Sequence, residues 1–176
     1  PTEAGLELYR ASREVLGRFA DFDDYLAALR GGERGRFSIA LVNTAQYVLP
    51  RLLGPYSRAF PEVDVTVHIG NRRQMLTRFE RQEDDLYVFS HPPSLAHALA
   101  GRFLRNPLVA VAPRGHPLAG RERIAMAELL EERFLLREPG SATRMLFESW
   151  LQEQGLTLGP TLQMASNEAI RVGVAA

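Results

Sequence analysis

The sequence predicts an α/β fold in two lobes, built from parallel βαβ units. Three observations carry that expectation. Residues 36–70 read strand, helix, strand: Phe37 to Val42 is almost wholly apolar, Leu49, Leu52, Leu53, Tyr56 and Phe60 recur at helical spacing, and Val63, Val65, Val67 and Ile69 alternate with Asp64, Thr66 and His68. The same alternation of strand and helix patterns continues along the rest of the chain. Two breaks, at His91-Pro92-Pro93 and near Ala165-Ser166, bracket a segment of its own. They suggest a second lobe inserted into the first, an arrangement that closes on ligands by hinge motion.

The elements follow in order. Thr2 to Arg30 contains no proline and reads as one long helix of roughly 40 Å. Leu8, Ser12, Val15, Phe19, Phe22, Leu26 and Leu29 are spaced alternately four and three residues apart, a coiled-coil seam with a polar lapse at Ser12. Such a seam serves either packing on its own domain or dimerisation, and its length over three heptads ahead of Gly31-Gly32-Glu33-Arg34-Gly35 favours dimerisation through Leu8, Val15, Phe19, Phe22, Leu26 and Leu29. Asn43-Thr44 are suited to cap a helix running to about Arg58, which Pro61 closes. Asn71 caps a helix to about Gln82; Leu86 to Phe89 forms a third strand. Phe103 to Ala112, interrupted by Pro107, reads as a strand. Ala125 to Glu131 is a short helix and Phe134 to Leu136 a strand. Thr143 to Gln154 is a helix with Leu146, Phe147, Trp150 and Leu151 facing inward. Thr161 to Ala165 is a strand, and Ser166-Asn167 opens a last helix.

Composition narrows the function. The 176 residues suffice for one domain or two small ones. Formal net charge is zero, with all 21 basic residues arginine, and residues 1–34 carry five arginines against seven acids. That balance argues against a grip on nucleic-acid phosphates and against a basic-region zipper. No apolar run approaches a membrane span, no signal-peptide pattern opens the chain, and cysteine is absent, which fits a cytoplasmic location. No metalloprotease, nucleophile-elbow, phosphate-loop or dinucleotide fingerprint occurs, so no catalytic residue, metal site or cofactor is assigned. Glu83-Asp84-Asp85 reads as an acidic helix-to-strand turn.

Thr2-Glu3-Ala4-Gly5, Gly35-Arg36-Phe37-Ser38-Ile39-Ala40, Pro50, Phe60-Pro61, Arg114-Gly115-His116-Pro117-Leu118 and Ser166-Asn167-Glu168-Ala169-Ile170 together resemble, in order and spacing, a LysR-type transcriptional regulator. Within that family, Thr44 to Arg51, Gly70-Asn71-Arg72 and Asp84 to Val88 look most like activators of RuBisCO (carbon-fixation) operons. The resemblance implies a two-lobed, periplasmic-binding-protein-like (type 2) effector domain behind a coiled-coil linker helix. It divides the chain into a linker and dimerisation helix (1–34), a first part of lobe I (35–91), lobe II (92–165) and a return to lobe I (166–176). It also implies a winged helix-turn-helix and a C-terminal end outside this chain, so that promoter DNA would be met only through the former. The implied partners are a second copy, as homodimer or tetramer, and a small anionic metabolite: a phosphorylated sugar, a related phosphometabolite or NADPH.

Four polar turns follow predicted strands: Asn43-Thr44, Ser90-His91, Ser141 to Arg144 and Ser166-Asn167. Each taken singly is an ordinary helix cap. Converging at the carboxyl ends of two sheets, where open α/β folds bind ligands, they outline a cleft. The expected effector residues are Asn43, Thr44, Ala45, His91, Ser141, Ala142, Thr143, Arg144, Ser166 and Asn167. Arg144 opposes the dipole of its own helix, which an anionic ligand or pairing with Glu138 or Glu148 would equally explain. Arg72 and Arg73, after Gly70-Asn71, have a similar claim on an anion, though facing solvent is the favoured reading for them, as it is for His68 and His97. The expected function is effector sensing and dimerisation in a LysR-type regulator; the alternative is a solute-binding protein of the same fold serving transport.

Overall fold

A computed structural model describes residues 2–29, 34–93 and 98–175; the Leu29 side chain, the Gly31 to Glu33 part of the linker and His97 lie outside the described residues. Helix α1 runs Glu3–Leu29 and presents its seam to solvent: Leu8, Val15, Phe19 and Phe22 are all exposed, Phe19 to 65%. Strands β1 (Arg34–Val42), β2 (Glu62–Gly70) and β3 (Leu86–Val88) form a parallel sheet in the order β2-β1-β3. Strand β1 is longer than its apolar run because Arg34 pairs in register with Glu62, as Val42 does with Gly70. As the central strand it is covered on both faces. Ile39 and Leu41 pack with Leu49, Val65 and Val67, while Ala40 and Val42 pack with Met75 and Tyr87.

The helix expected to start at Asn43-Thr44 is divided. Asn43–Tyr47 forms a 3-10 turn and α2 begins anew at Leu49, ending at Ala59. Pro50 supplies the reason: lacking an N–H and clashing with the carbonyl four residues back, it is admitted only in a first turn. Helix α3 (Arg72–Glu80) is capped by Asn71, whose side chain accepts from the Gln74 N–H while Gln74 returns the bond to the Asn71 N–H. The acidic turn is structural, as expected. Asp84 takes a two-pronged bond from Arg78, and Asp85 accepts from the Ser38 N–H at 2.7 Å.

The second lobe contains α4 (Met126–Leu129), β4 (Phe134–Arg137), α5 (Ala142–Glu153), β5 (Thr161–Met164) and α6 (Asn167–Ala175), with β4 and β5 parallel. Three expectations are corrected. Residues 103–112 form no strand: no described residue pairs with them, Pro107 lacks a donor, and Phe103, Leu104, Val109 and Val111 lie exposed. Trp150 stacks on Phe147 but is 37% exposed, so Leu151 rather than the indole is the buried anchor of α5. The return to lobe I expected of 166–176 is not made by its described part, 166–175. Helix α6 packs on β4 and β5, so closely that a Cβ on Gly173 would stand 2.8 Å from Met164 Cε and 3.1 Å from Leu135 Cδ1.

Truncating Leu41, wholly buried, to Ala should lower the unfolding free energy by about 2–5 kcal/mol. Ile69→Ala on the exposed edge strand should cost well under half of that; urea denaturation compares the two.

Candidate functional site

The carboxyl ends of the strands meet across a narrow cleft. Lobe I contributes Val42, Asn43 and Thr44 after β1, Asn71 and Arg72 after β2, and Ser90 after β3; lobe II contributes Arg137 at the end of β4 and Ser141 to Thr143 at the start of α5. Because Asn43 and Thr44 are released from capping by the 3-10 turn, their side chains turn to tertiary partners. Thr44 Oγ1 lies 2.7 Å from Ser90 Oγ. With its amide oriented to satisfy both groups, Asn43 donates to the Gly70 carbonyl at 3.1 Å and accepts from Arg137 Nη2 at 2.8 Å.

Arg137 is the organising side chain, and sequence reasoning missed it. Its side chain is 2% exposed. Nε and Nη2 donate to the two oxygens of Glu138 at 2.8 and 3.0 Å, and Nη1 donates to Asn167 Oδ1 at 2.5 Å. Glu138 Oε1 also accepts from Asn71 Nδ2 of the other lobe at 3.1 Å. Burial pushes the Glu138 carboxyl upward, but the Arg137 and Asn71 hydrogen bonds outweigh it and leave the group below its ordinary value. Two further bonds cross between lobes. The Arg73 N–H donates to the Gly140 carbonyl at 3.2 Å, and Tyr47 donates to Glu168 Oε1 at 2.8 Å. Glu168 lies below the usual carboxylate range because of the Tyr47 bond and then Arg171. Gly140 has to be glycine: its φ is +93°, and a Cβ would meet Arg73 Cβ at 3.1 Å.

Helix α5 opens on the cleft without a cap. Ser141 makes no capping bond, and the first N–H with a partner inside the helix is that of Met145. The N–H groups of Ala142, Thr143 and Arg144 therefore have no partner among the described residues and lie at the positive end of the helix dipole. Ser141 is 3% exposed and lines the cleft, and among the described residues its hydroxyl has no partner.

Of the expected effector residues, Asn43, Thr44, Ser141, Ala142 and Thr143 line this cleft, and Asn167 reaches it through Arg137. The other four do not. Ala45 packs into the core beneath β1. His91 is exposed and offers only its carbonyl, to Arg72 Nε at 3.2 Å. Ser166 caps α6 by accepting from the Ala169 N–H. Arg144 lies along α5, bound to Glu148 at 2.7 Å, the Arg137 carbonyl and Gln163. Arg72, for which solvent was favoured over a claim on an anion, lines the cleft. The signal for Arg137 is its place at the carboxyl end of an apolar strand, beside a glutamate able to balance its charge. A wider depression on the far side of β2, lined by His68, Gln74, Thr77, Arg78, Arg81 and Glu83, has its arginines already paired with Glu83 and Asp84.

Two parallel sheets with a polar cleft at their strand ends fit a ligand-binding domain of the type 2 periplasmic-binding-protein-like class. The family model described as LysR substrate binding domain matches residues 30–176, and the chain belongs to that family. The RuBisCO operon transcriptional regulator of Acidithiobacillus ferrooxidans is 38% identical over 99% of the chain and 56% of its own length. The HTH-type transcriptional activator CmpR of Synechocystis sp. PCC 6803 is 36% identical over 98% of the chain and 57% of its own. The chain thus spans little more than half the length of these relatives, which are transcriptional regulators and not enzymes. Among solved structures, the CcmR regulatory domain of Synechocystis PCC6803 in complex with 2-PG superposes with a TM-score of 0.76 at 38% identity, covering 80% of the chain and 68% of that domain. HinK, a LysR family transcriptional regulator from Pseudomonas aeruginosa, gives 0.66 at 26% identity over 98% of the chain and 59% of its own.

A carboxylate held below its ordinary value stabilises the fold above that ordinary value, near pH 4.5, and the contribution is lost as pH falls through the depressed one. Thermal melts between pH 7 and pH 3 should therefore show a steeper acid loss of stability in the wild type than in Glu138→Gln.

Proposed function

We propose that this chain is the effector-sensing and dimerisation region of a cytoplasmic LysR-type regulator of a carbon-fixation operon, and that its effector is a small anionic metabolite held in the cleft. The observation that carries the proposal is the uncapped start of α5 beside Ser141, which lines the cleft and whose hydroxyl has no partner among the described residues. Free N–H groups at a helix start suit phosphate or carboxylate. The complex of the CcmR regulatory domain with 2-PG supports a small phosphometabolite. No helix among the described residues is long and apolar enough to cross a membrane.

The effector acts by population shift. It touches both lobes, so it binds one inter-lobe angle better than others and biases the pair toward it. The linker helices then carry that bias to DNA-binding heads outside this chain, and the ligand's differential affinity limits how far the balance moves. Dimerisation uses the exposed seam of α1. Phe19→Asp with Phe22→Asp places two charges in that seam and should convert the dimer to monomer in sedimentation equilibrium at micromolar concentration; a monomeric parent would contradict the proposal.

Ser141→Ala and Thr44→Ala in the full-length regulator should each weaken a phosphorylated acid by about 1 kcal/mol, the worth of one neutral hydroxyl bond. Calorimetry with phosphoglycolate and phosphoenolpyruvate reads this. Undiminished binding in both variants would remove the ligand from the cleft.

A further inference from the structure

The cations around the cleft are not equivalent. Arg137 is buried, and its guanidinium is committed to Glu138, Asn43 and Asn167. Its charge is already balanced inside the protein, so an incoming anion would have to displace a bonded carboxylate. Arg144 is held by Glu148, the Arg137 carbonyl and Gln163. Arg73 carries its side chain past Gly140, where it fills the space a Cβ would need. Arg72 differs from all three. It lines the cleft and has no carboxylate within ion-pair distance among the described residues. Its Nε is anchored to the His91 carbonyl at 3.2 Å. Bonding through Nε fixes the plane of the guanidinium and leaves both terminal nitrogens, which have no partner among the described residues, as a preorganised fork.

The opposite wall holds a different kind of anion site. There the donors are neutral: the N–H groups that open α5 and the hydroxyl of Ser141, a residue 3% exposed, none of them with a partner among the described residues. One wall thus offers a helix start and the other a charged fork, and they belong to different lobes. Beside Arg72, the Thr44 and Ser90 hydroxyls bond to each other, and the pair keeps one further proton to donate.

We infer that Arg72 of lobe I, and not Arg144 of lobe II, is the residue that makes the cleft specific for a two-headed acid: one anionic group rests on the start of α5 and the second, a short spacer away, is taken by the Arg72 fork with Thr44 and Ser90. The inference rests on the cleft being the effector site. It adds a reason for the ligand to act as a switch. A molecule with one anionic head satisfies one wall and gains little from closure, whereas one with two heads gains its second set of bonds only when the lobes are together.

The test is calorimetry on the full-length regulator with phosphoglycolate as a two-headed probe and inorganic phosphate as a one-headed one. Arg72→Gln should weaken phosphoglycolate about 10- to 100-fold, the worth of a charged hydrogen-bond pair, and phosphate by less than about threefold. Arg144→Gln should change neither by more than about threefold. Arg72→Lys should bind phosphoglycolate between the wild type and Arg72→Gln, since it keeps the charge and loses the fork; this separates recognition from any loss of folding, because both variants give up the same bond to His91. Unchanged phosphoglycolate binding in Arg72→Gln, or a loss confined to Arg144→Gln, would overturn the assignment while leaving the cleft in place. A wild type that binds phosphoglycolate no better than phosphate would overturn the two-headed reading itself.

Discussion

The structure depends on one buried charge. Arg137 sits at the end of β4 with almost no contact with water, and its guanidinium is shared among a carboxylate of its own lobe, an asparagine of α6 and an asparagine of lobe I. Removing any one partner of a buried ion pair costs about 3–5 kcal/mol, because the remaining charge is left unsolvated. The network therefore has to form whole. Since Asn43 and Asn71 belong to lobe I, its completion also sets the distance between the lobes. The Tyr47–Glu168 and Arg73–Gly140 bonds add to the same closure from either side.

Balancing that charge internally has a chemical consequence. A lone buried arginine would attract any anion; one already bonded to Glu138 does not. In the proposed site, recognition would then fall to groups whose geometry is fixed by the fold: N–H groups at the start of α5, hydroxyls at the ends of β1 and β3, and a guanidinium steered by a backbone carbonyl. Such groups hold their positions before a ligand arrives, so little ordering entropy is lost on binding. The parallel sheets put them there. Strand polarity brings the carboxyl ends of β1, β2, β3 and β4 to one side, and a helix start follows at α3 and α5.

Much of this was legible in the sequence, for identifiable reasons. The βαβ unit at 34–70 announced itself through period, since a strand covered on both faces has to be apolar throughout and an edge strand has to alternate. The seam of α1 was equally plain because a heptad is a covalent pattern. Two kinds of feature were not. Asn43 and Thr44 looked like caps, and only the restart of the helix at Pro50 shows why their side chains are free for other partners. Arg137, Arg72 and Arg144 differ in what surrounds them, not in sequence type, so sequence alone did not show that Arg72 lines the cleft while Arg144 is paired along α5, and Arg137 was passed over. The apolar stretch at 103–112 shows the same limit, because pattern records a capacity to pair and not the presence of a partner.

The central claim is that a small acid is received at the start of α5. Backbone amide resonances report it most directly, because the free N–H groups would become hydrogen-bond donors to the ligand. A nitrogen-15 titration of the regulator with phosphoglycolate should produce its largest downfield proton shifts at Ala142, Thr143 and Arg144, saturating together with the calorimetric isotherm. Saturable shifts confined to His68, Thr77, Arg78 and Arg81, on the far side of β2, would place the ligand in the other depression and contradict the account.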